Sequence, residues 1–323
     1  THSKSILPGN ILSTNRSAQV VGIGICTLDL LSTIPHMPRF GEHVQASRFL
    51  QQSGGLVGTA LVTLSRLGIT TEMVAHIGDD EAGRFIRNEC VHEGVGVTGL
   101  ISEANALSHV STVLVDEKGG ERSFLYRSPT SSPLSIEDIS QETISSAQAL
   151  FVDSINDVTL QAARWARKAG AWTVLDPSGK YETLKPLLEL IDVPIVPERF
   201  AEEWMPGQPH EAAAEQLIES GARIAVVTRG ERGCVACWEK GTFAFPAFPI
   251  EVVDTTGAGD AFHGAFIYGL LQDWPVEEVV RFASAVGTLN CRSLGGRTAL
   301  PTRSEVDDFI NQHQELFAPT PLT

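Results

Sequence analysis

In the stretch Val253-Asp254-Thr255-Thr256-Gly257-Ala258-Gly259-Asp260-Ala261-Phe262-His263-Gly264, a carboxylate directly follows a run of small residues. That order has a chemical meaning. Where a helix begins, the first backbone N–H groups lack an i−4 carbonyl and the macrodipole adds positive potential, so an anion is held there. Gly257, Ala258 and Gly259 let a phosphate approach such a turn without a bulky side chain in the way. Asp260 would repel a phosphate that was merely bound. It is useful if it takes the proton of a hydroxyl that attacks phosphorus while the turn holds the transferring group. The same residues also describe a tight turn with an acidic helix start, and spacing alone leaves both readings open. His263 shares a helix face with Asp260 but sits a turn deeper, where packing suits it better than acting as the base.

The flanking segments must hold this turn in place. An apolar run, Phe248 to Val253, reads as an incoming strand, and Ala261, Phe262, Ala265, Phe266 and Leu270 read as an outgoing helix. From Ala149 onward apolar runs alternate with helical patterns: 149–153, 159–169, 172–176, 191–196, 210–220 and 224–228. This is the rhythm of a doubly wound, mainly parallel α/β sheet. Near the start, Gln19 to Leu28 reads as a buried strand that Asp29 terminates, and strand ends are where ligand contacts gather in such sheets. Gly22-x-Gly24 lacks the third glycine and the following helix of a dinucleotide turn. Two regions break the rhythm, about 30–53 and 108–128. The second carries Gly119-Gly120 between alternating segments, a hairpin signal. Together they predict a small β-sheet lid. Asp79-Asp80-Glu81 reads as a strand end followed by an acidic helix start.

The chain has 323 residues, 42% hydrophobic and 20% charged, with a formal net charge of −15. That balance argues for a globular domain over 19–323 and against nucleic acid or an anionic membrane surface as partner. Residues 1–18 read as a flexible tail. Five scattered cysteines predict no disulfide framework and a reducing, cytoplasmic setting. Cys234-x-x-Cys237 has no second pair, and on a strand the two point to opposite faces.

The string D-T-T-G-A-G-D-A-F-x-G-A-F, residues 254–266, resembles the C-terminal signature of the ribokinase-like (PfkB) carbohydrate kinases. The likeness extends over about residues 19–312. Gly54-Gly55 with the helix ending at Gly68 is similar to the family's G-G-x-x-x-N stretch, with Thr59 where Asn is usual. V-x-x-I-G-D-D, residues 74–80, is also similar. The resemblance implies a ribokinase-like fold and ATP-dependent phosphorylation of a sugar, with Mg²⁺. It implies Asp260 as base and Gly257, Ala258 and Gly259 as anion hole. Asp29, Gly54, Gly55 and Thr59 fall on the sugar side.

On the nucleotide side, Val227-Thr228-Arg229-Gly230-Glu231-Arg232-Gly233 resembles the family's phosphate-lining V-T-x-G-x-x-G element, which implicates Thr228, Gly230 and Gly233. No G-x-x-x-x-G-K-[ST] is present, so this is not a P-loop kinase. The loop from Asn290 to Pro301 is implied to border the adenine pocket, with Asn290 at its start. Asp254 and Thr256 are implied for a monovalent cation, K⁺, that some members use. Glu198 and Ala201 stand where the family shows Asn and Glu of N-x-x-E, which leaves Glu198 as the candidate for the Mg²⁺ network.

The signature with C-R-x-x-G-G-R, residues 291–297, resembles most closely the sulfofructose kinase branch, with ketohexokinase-like enzymes near it. A ketose or ketose derivative is the implied substrate, and Arg127, placed after the lid hairpin, either meets an anionic group on it or is a surface arginine. Ribose or fructose, a nucleoside stacked on Phe40, Phe49, Phe124 or Tyr126, and a non-catalytic sugar-binding regulator are the alternatives. An intact Asp260 speaks against the last. The resemblance further implies a homodimer formed through the lid.

Overall fold

The computed structural model describes residues 17–178, 180–316 and 318–322; residues 1–16 of the expected tail lie outside them. The first half contains β1 (Val20–Ile23), β2 (Thr27–Ile34), β3 (Arg48–Gly54), α1 (Leu56–Arg66), β4 (Thr71–Gly78), α2 (Glu81–His92), β5 (Val95–Gly96), β6 (Leu100–Glu103), β7 (Val110–Asp116) and β8 (Arg122–Arg127). Then follow α3 (Gln141–Ser146), β9 (Ala149–Val152), α4 (Asp157–Ala169), β10 (Trp172–Leu175), α5 (Tyr181–Leu188), β11 (Val193–Pro197), α6 (Glu198–Trp204), α7 (His210–Glu219) and β12 (Ala225–Thr228). The chain ends with β13 (Cys234–Trp238), β14 (Gly241–Phe245), α8 (Ala258–Leu271), α9 (Val276–Asn290), α10 (Arg303–Gln312) and β15 (Thr320–Leu322).

The large sheet is eleven-stranded, in the order β15-β14-β13-β12-β11-β10-β9-β1-β4-β5, with β6 paired to β4. From β12 across to β5 and β6 all neighbours are parallel, and β13, β14 and β15 extend the sheet antiparallel. Its parallel strands are short, continuous apolar runs buried on both faces, which requires helices on both sides. One core cluster packs α1, α8 and α9 on one face, and a second packs α4, α5 and α7 on the other. Cys234 belongs to the first and Cys237 to the second, so the C-x-x-C pair does point to opposite faces. All five cysteines are free and buried. Asp80 caps α2 by accepting from the Gly83 N–H at 2.9 Å, as an acidic helix start should. No helix among the described residues is long and apolar enough to cross a membrane.

The small sheet has four strands in the order β3-β2-β7-β8. The hairpin β7–β8 turns at Gly119-Gly120 as expected, with Asp116 Oδ2 accepting from the Lys118 and Gly119 N–H groups. The lid begins at Thr27, earlier than expected, and this corrects the place of Asp29. The apolar run is broken after Ile23, so Asp29 lies inside lid strand β2 and not at the end of β1. The break has a long-range cause. Asp153, at the end of β9, accepts the Ile25 N–H at 2.7 Å, and its carboxylate fills the space over Gly24 where a Cβ would stand 2.5 Å away.

A second correction concerns Phe248 to Val253, which forms no strand. Pro246 and Pro249 remove N–H donors there, and Val253 instead donates to the Cys291 carbonyl at 2.9 Å.

Register sorts the lid into two faces. Asp29 pairs with Gln52 and Ser111, and Ser111 with Tyr126. Val113 pairs with Leu31 and Phe124, and Val115 with Thr33 and Arg122. All of these share one face. It is the face that meets the main domain, because Leu31, Val113, Val115 and Leu50 pack on Leu294.

Candidate active site

The ends of β9, β10, β11 and β12 carry Asp153, Asp176, Glu198 and Thr228 along one edge of the sheet. Helix α8 begins at the same edge. Its His263 reaches down between the Gly259 carbonyl (2.7 Å) and the Ile195 carbonyl of β11 (3.1 Å), 3.7 Å from the Asp176 carboxylate. Buried and bonded in this way, His263 anchors the helix and is not presented to a substrate.

Gly257 precedes α8 with φ of 71°, a left-handed conformation that favours glycine. A Cβ at Gly257 would stand 2.6 Å from Gly296 Cα, so backbone meets backbone here. The loop is tied from below. Asp254, fully buried, accepts from the Thr256 N–H (2.8 Å) and hydroxyl (2.7 Å) through Oδ1 and from the Gly295 N–H (2.8 Å) through Oδ2. Asn290 Nδ2 donates to the carbonyls of Thr256 (3.2 Å) and Gly296 (3.0 Å). What remains at the top is the start of α8. Gly257, Ala258 and Gly259 are at least partly open there, although the Ala258 N–H also leans on the Thr255 carbonyl at 3.3 Å.

Asp260 stands in the first turn, partly open to the cleft. Loss of hydration pushes its carboxyl well above the ordinary carboxylate range, Asp176 and Asp29 push the same way, and Arg122 and Arg297 oppose them. Asp29 lies on the same lid face as Arg122, which bonds Thr255 in the loop before α8, so lid and helix bring both carboxylates to one cleft. Asp29 is itself raised by burial and accepts from the Thr27 hydroxyl at 2.6 Å. Its Oδ2 occupies the space over Gly54, where a Cβ would lie 1.8 Å away. Gly55 starts α1 at φ 89°. So Asp29, Gly54 and Gly55 come together opposite Asp260.

Other expected residues fare differently. Thr59 is buried, and its hydroxyl accepts from Arg297 Nε at 3.2 Å, so the protein itself uses the group expected to face a sugar. Arg127 does not reach the cleft. It lies on the opposite lid face from Arg122 and is held by the Ser108 carbonyl (2.9 Å) and Asp80 (3.2 Å). Strand alternation puts Arg122 on the cleft face instead. Arg122 Nη1 bonds the Thr255 hydroxyl, and that hydroxyl donates to the Gly120 carbonyl at 3.3 Å, so the hairpin tip touches the loop before α8.

Of the residues expected to line a nucleotide, Thr228 ends β12, and Gly230 and Gly233 both have positive φ. Gly233 packs against the Phe245 carbonyl, 2.0 Å from where a Cβ would be. Glu198 is ion-paired to Arg232 and lies near Glu202 and His210, whose donor atoms fall within 4.8 Å of one another and of its own. A carboxylate committed to a guanidinium is a poor ready-made Mg²⁺ ligand. Around Asp254 the fit for a cation is better, because the buried Asn290 Oδ1 has no hydrogen-bond partner among the described residues. Arg122, Arg297, Asp153 and Asp176 were not anticipated as members of the site.

Comparison with known proteins identifies the family. The pfkB family carbohydrate kinases match residues 17–303. The chain therefore belongs to that family, and it is a sugar kinase, a phosphotransferase. It is 28% identical over 314 residues to a fructokinase of Solanum tuberosum, covering 90% of this chain and 94% of that one. It is 26% identical over 299 residues to a ribokinase of Haemophilus influenzae, covering 89% and 97%. Among solved structures, Arabidopsis thaliana ribokinase complexed with ribose and ATP superimposes with a TM-score of 0.78 at 24% identity, covering 91% of this chain and 99% of that one.

Proposed function

We propose that this carbohydrate kinase transfers the γ-phosphoryl group of ATP to a hydroxyl of a ketose or ketose derivative, with Asp260 as the base. The observation that carries this reading is a carboxylate in the first turn of a helix whose open start can hold an anion, on the cleft that the lid face of Asp29 and Arg122 covers. Asp260 accepts the hydroxyl proton, the sugar oxygen forms the new bond to phosphorus, and the bond from phosphorus to the β–γ bridging oxygen breaks, releasing ADP. The N–H groups at the start of α8 hold the phosphoryl oxygens as negative charge redistributes. Arg122 adds a positive charge from the lid and brings it to Thr255 when the hairpin tip is down. Asp29, Gly54 and Gly55 orient the sugar.

The ketose assignment draws on the fructokinase relative and on the likeness to the sulfofructose kinase branch. ATP as donor draws on the ribokinase structure. Mg²⁺ would arrive with the nucleotide. K⁺ would be held beside Asp254, Thr256 and Asn290 Oδ1 and would add positive charge behind the nest. The lid's exposed Phe49 and Leu125, on the face turned away from the cleft, suit a homodimer contact, and five free thiols suit a reducing cytoplasm.

A nucleoside kinase is the second reading, favoured by one feature. Phe124 and Tyr126 are 51% and 70% exposed on the cleft face of the lid, where their rings could stack on a base. The test is ADP release with Mg–ATP across ketoses, sulfosugars, aldoses, aldonates and nucleosides. Turnover confined to one ketose class supports the proposal. Turnover on nucleosides alone replaces the substrate, and sugar binding without turnover on any acceptor removes the reaction.

A further inference from the structure

Arg297 is the largest of the fully buried side chains, 1% exposed. Its Nε donates to the Thr59 hydroxyl (3.2 Å) and its Nη2 to the Gly54 carbonyl (3.0 Å), while Nη1 has no hydrogen-bond partner among the described residues. No carboxylate among the described residues pairs with it at ion-pair distance; burial pulls the guanidinium below its ordinary range, and Cys90, Asp29 and Glu93 only partly oppose that. Taking a guanidinium out of water is costly, and a packed apolar side chain of similar volume would be at least as stable. Stability does not account for an arginine here.

Its surroundings do. Within Gly295-Gly296-Arg297, the Gly295 N–H is held by Asp254 and the Gly296 carbonyl by Asn290, with Gly296 packed on Gly257. The Arg297 N–H donates to Gln52 Oε1 of the lid at 3.0 Å, and its carbonyl accepts from Arg66 at 2.9 Å. The main chain thus belongs to the anion nest and the side chain to the turn that faces the sugar.

We propose that Arg297 is a positioning residue for the transfer: it locks the Gly54–Thr59 turn to the segment backing the nest, and its positive charge serves Asp29 and Asp260 together. This rests on the roles proposed above for those two carboxylates. The groups acting on Asp260 are Asp176 beside β10, Asp29 on β2, Arg122 on β8 and Arg297 itself, with His263 on its own helix next to Asp176. Arg297 and Arg122 are the cations that counter burial, and of the two only Arg297 is fixed inside the protein.

The test compares Arg297→Met, Arg297→Lys and Thr59→Val. Arg297→Met is expected to raise the sugar KM about tenfold and to move the acid limb of kcat to higher pH, with the ATP KM unchanged. Arg297→Lys returns the limb towards wild type, because the charge is restored. Thr59→Val raises the sugar KM and leaves the limb in place, since it removes a hydrogen bond and keeps the charge. A ¹³C-carboxyl aspartate NMR titration follows Asp260 without substrate, and its midpoint should rise in Arg297→Met and return in Arg297→Lys. An Asp260 midpoint and a sugar KM unmoved by Arg297→Met overturn the proposal. If the wild type phosphorylates no sugar while the NMR midpoint still moves, the sugar assignment fails and the link from Arg297 to Asp260 stands. If Arg297→Met does not fold, Thr59→Val decides, and an unchanged sugar KM then overturns the proposal.

Discussion

Around Gly257 the loop is tied down from within: Asp254 accepts three hydrogen bonds, Asn290 spans two carbonyls, and Gly296 leaves no room for a Cβ. Across the cleft the lid is built in the opposite way. Strand β8 is exposed at every position, and the sheet rests on a small cluster of Leu31, Val113, Val115 and Leu294. Charge that develops on a transferring phosphoryl group gains most from dipoles that need not reorganise. A surface that admits a substrate and then covers it must be able to move. On the proposed reading chemistry falls to the nest side and selection to the lid side, so substitutions should separate into kcat effects and KM effects.

Gly257→Ala should give the largest effect. It forces alanine into φ 71° and against Gly296, and kcat should fall by about 10²–10³, the range for losing one transition-state donor. Steady-state kinetics alongside thermal unfolding check this, and a loss confined to KM would break the comparison. Next comes Arg122→Gln, a lid residue that acts on the nest side. Its charge holds the Asp260 carboxyl down, so kcat should drop about tenfold and its acid limb should move to higher pH. The sign follows from a base that works only when ionised: a raised carboxyl loses activity at a higher pH as the solution is acidified. An unmoved limb would confine Arg122 to a lid contact. Phe124→Ala and Tyr126→Ala should raise KM for the acceptor by a few-fold with kcat unchanged, and equal losses in kcat would erase the division between the two sides.

The smallest effect is on stability. Burial pushes the Asp153 carboxyl up to about 7. Its folded state therefore binds a proton more tightly than the unfolded chain does, so its stabilising contribution is complete below about pH 4 and is lost as pH rises through 7. Asp153→Asn keeps an acceptor for the Ile25 N–H and removes that loss. Its melting temperature relative to that of the wild type should rise between pH 4 and pH 8, and a fall over that range would overturn the assignment.

The residues readable in the sequence were those whose meaning is local. Asp260 behind small residues, the parallel rhythm after Ala149 and the Gly119-Gly120 hairpin all depend on near neighbours. The misreadings depend on distant ones. Asp29 belongs to the lid because Asp153, 128 positions away from Ile25, breaks the first strand. The run from Phe248 is apolar enough for a strand, but its prolines and the Cys291 carbonyl take it elsewhere. Arg122 and Arg127 sit on one strand, and only its register with Val115 and Val110 shows which faces the cleft. Arg297 closes the C-R-x-x-G-G-R string, but nothing near it tells its contacts, since its partners Gly54 and Thr59 lie more than half the chain away.

The most direct test is rapid-quench phosphoryl transfer by wild type and Asp260→Asn on an accepted sugar, with sugar and ATP binding measured separately on both. The structure predicts that both proteins bind both ligands and that the transfer step slows by about 10³–10⁴ in the variant, the upper range for removing a general base. Transfer at near wild-type rate by Asp260→Asn would contradict the assignment of Asp260 as the base.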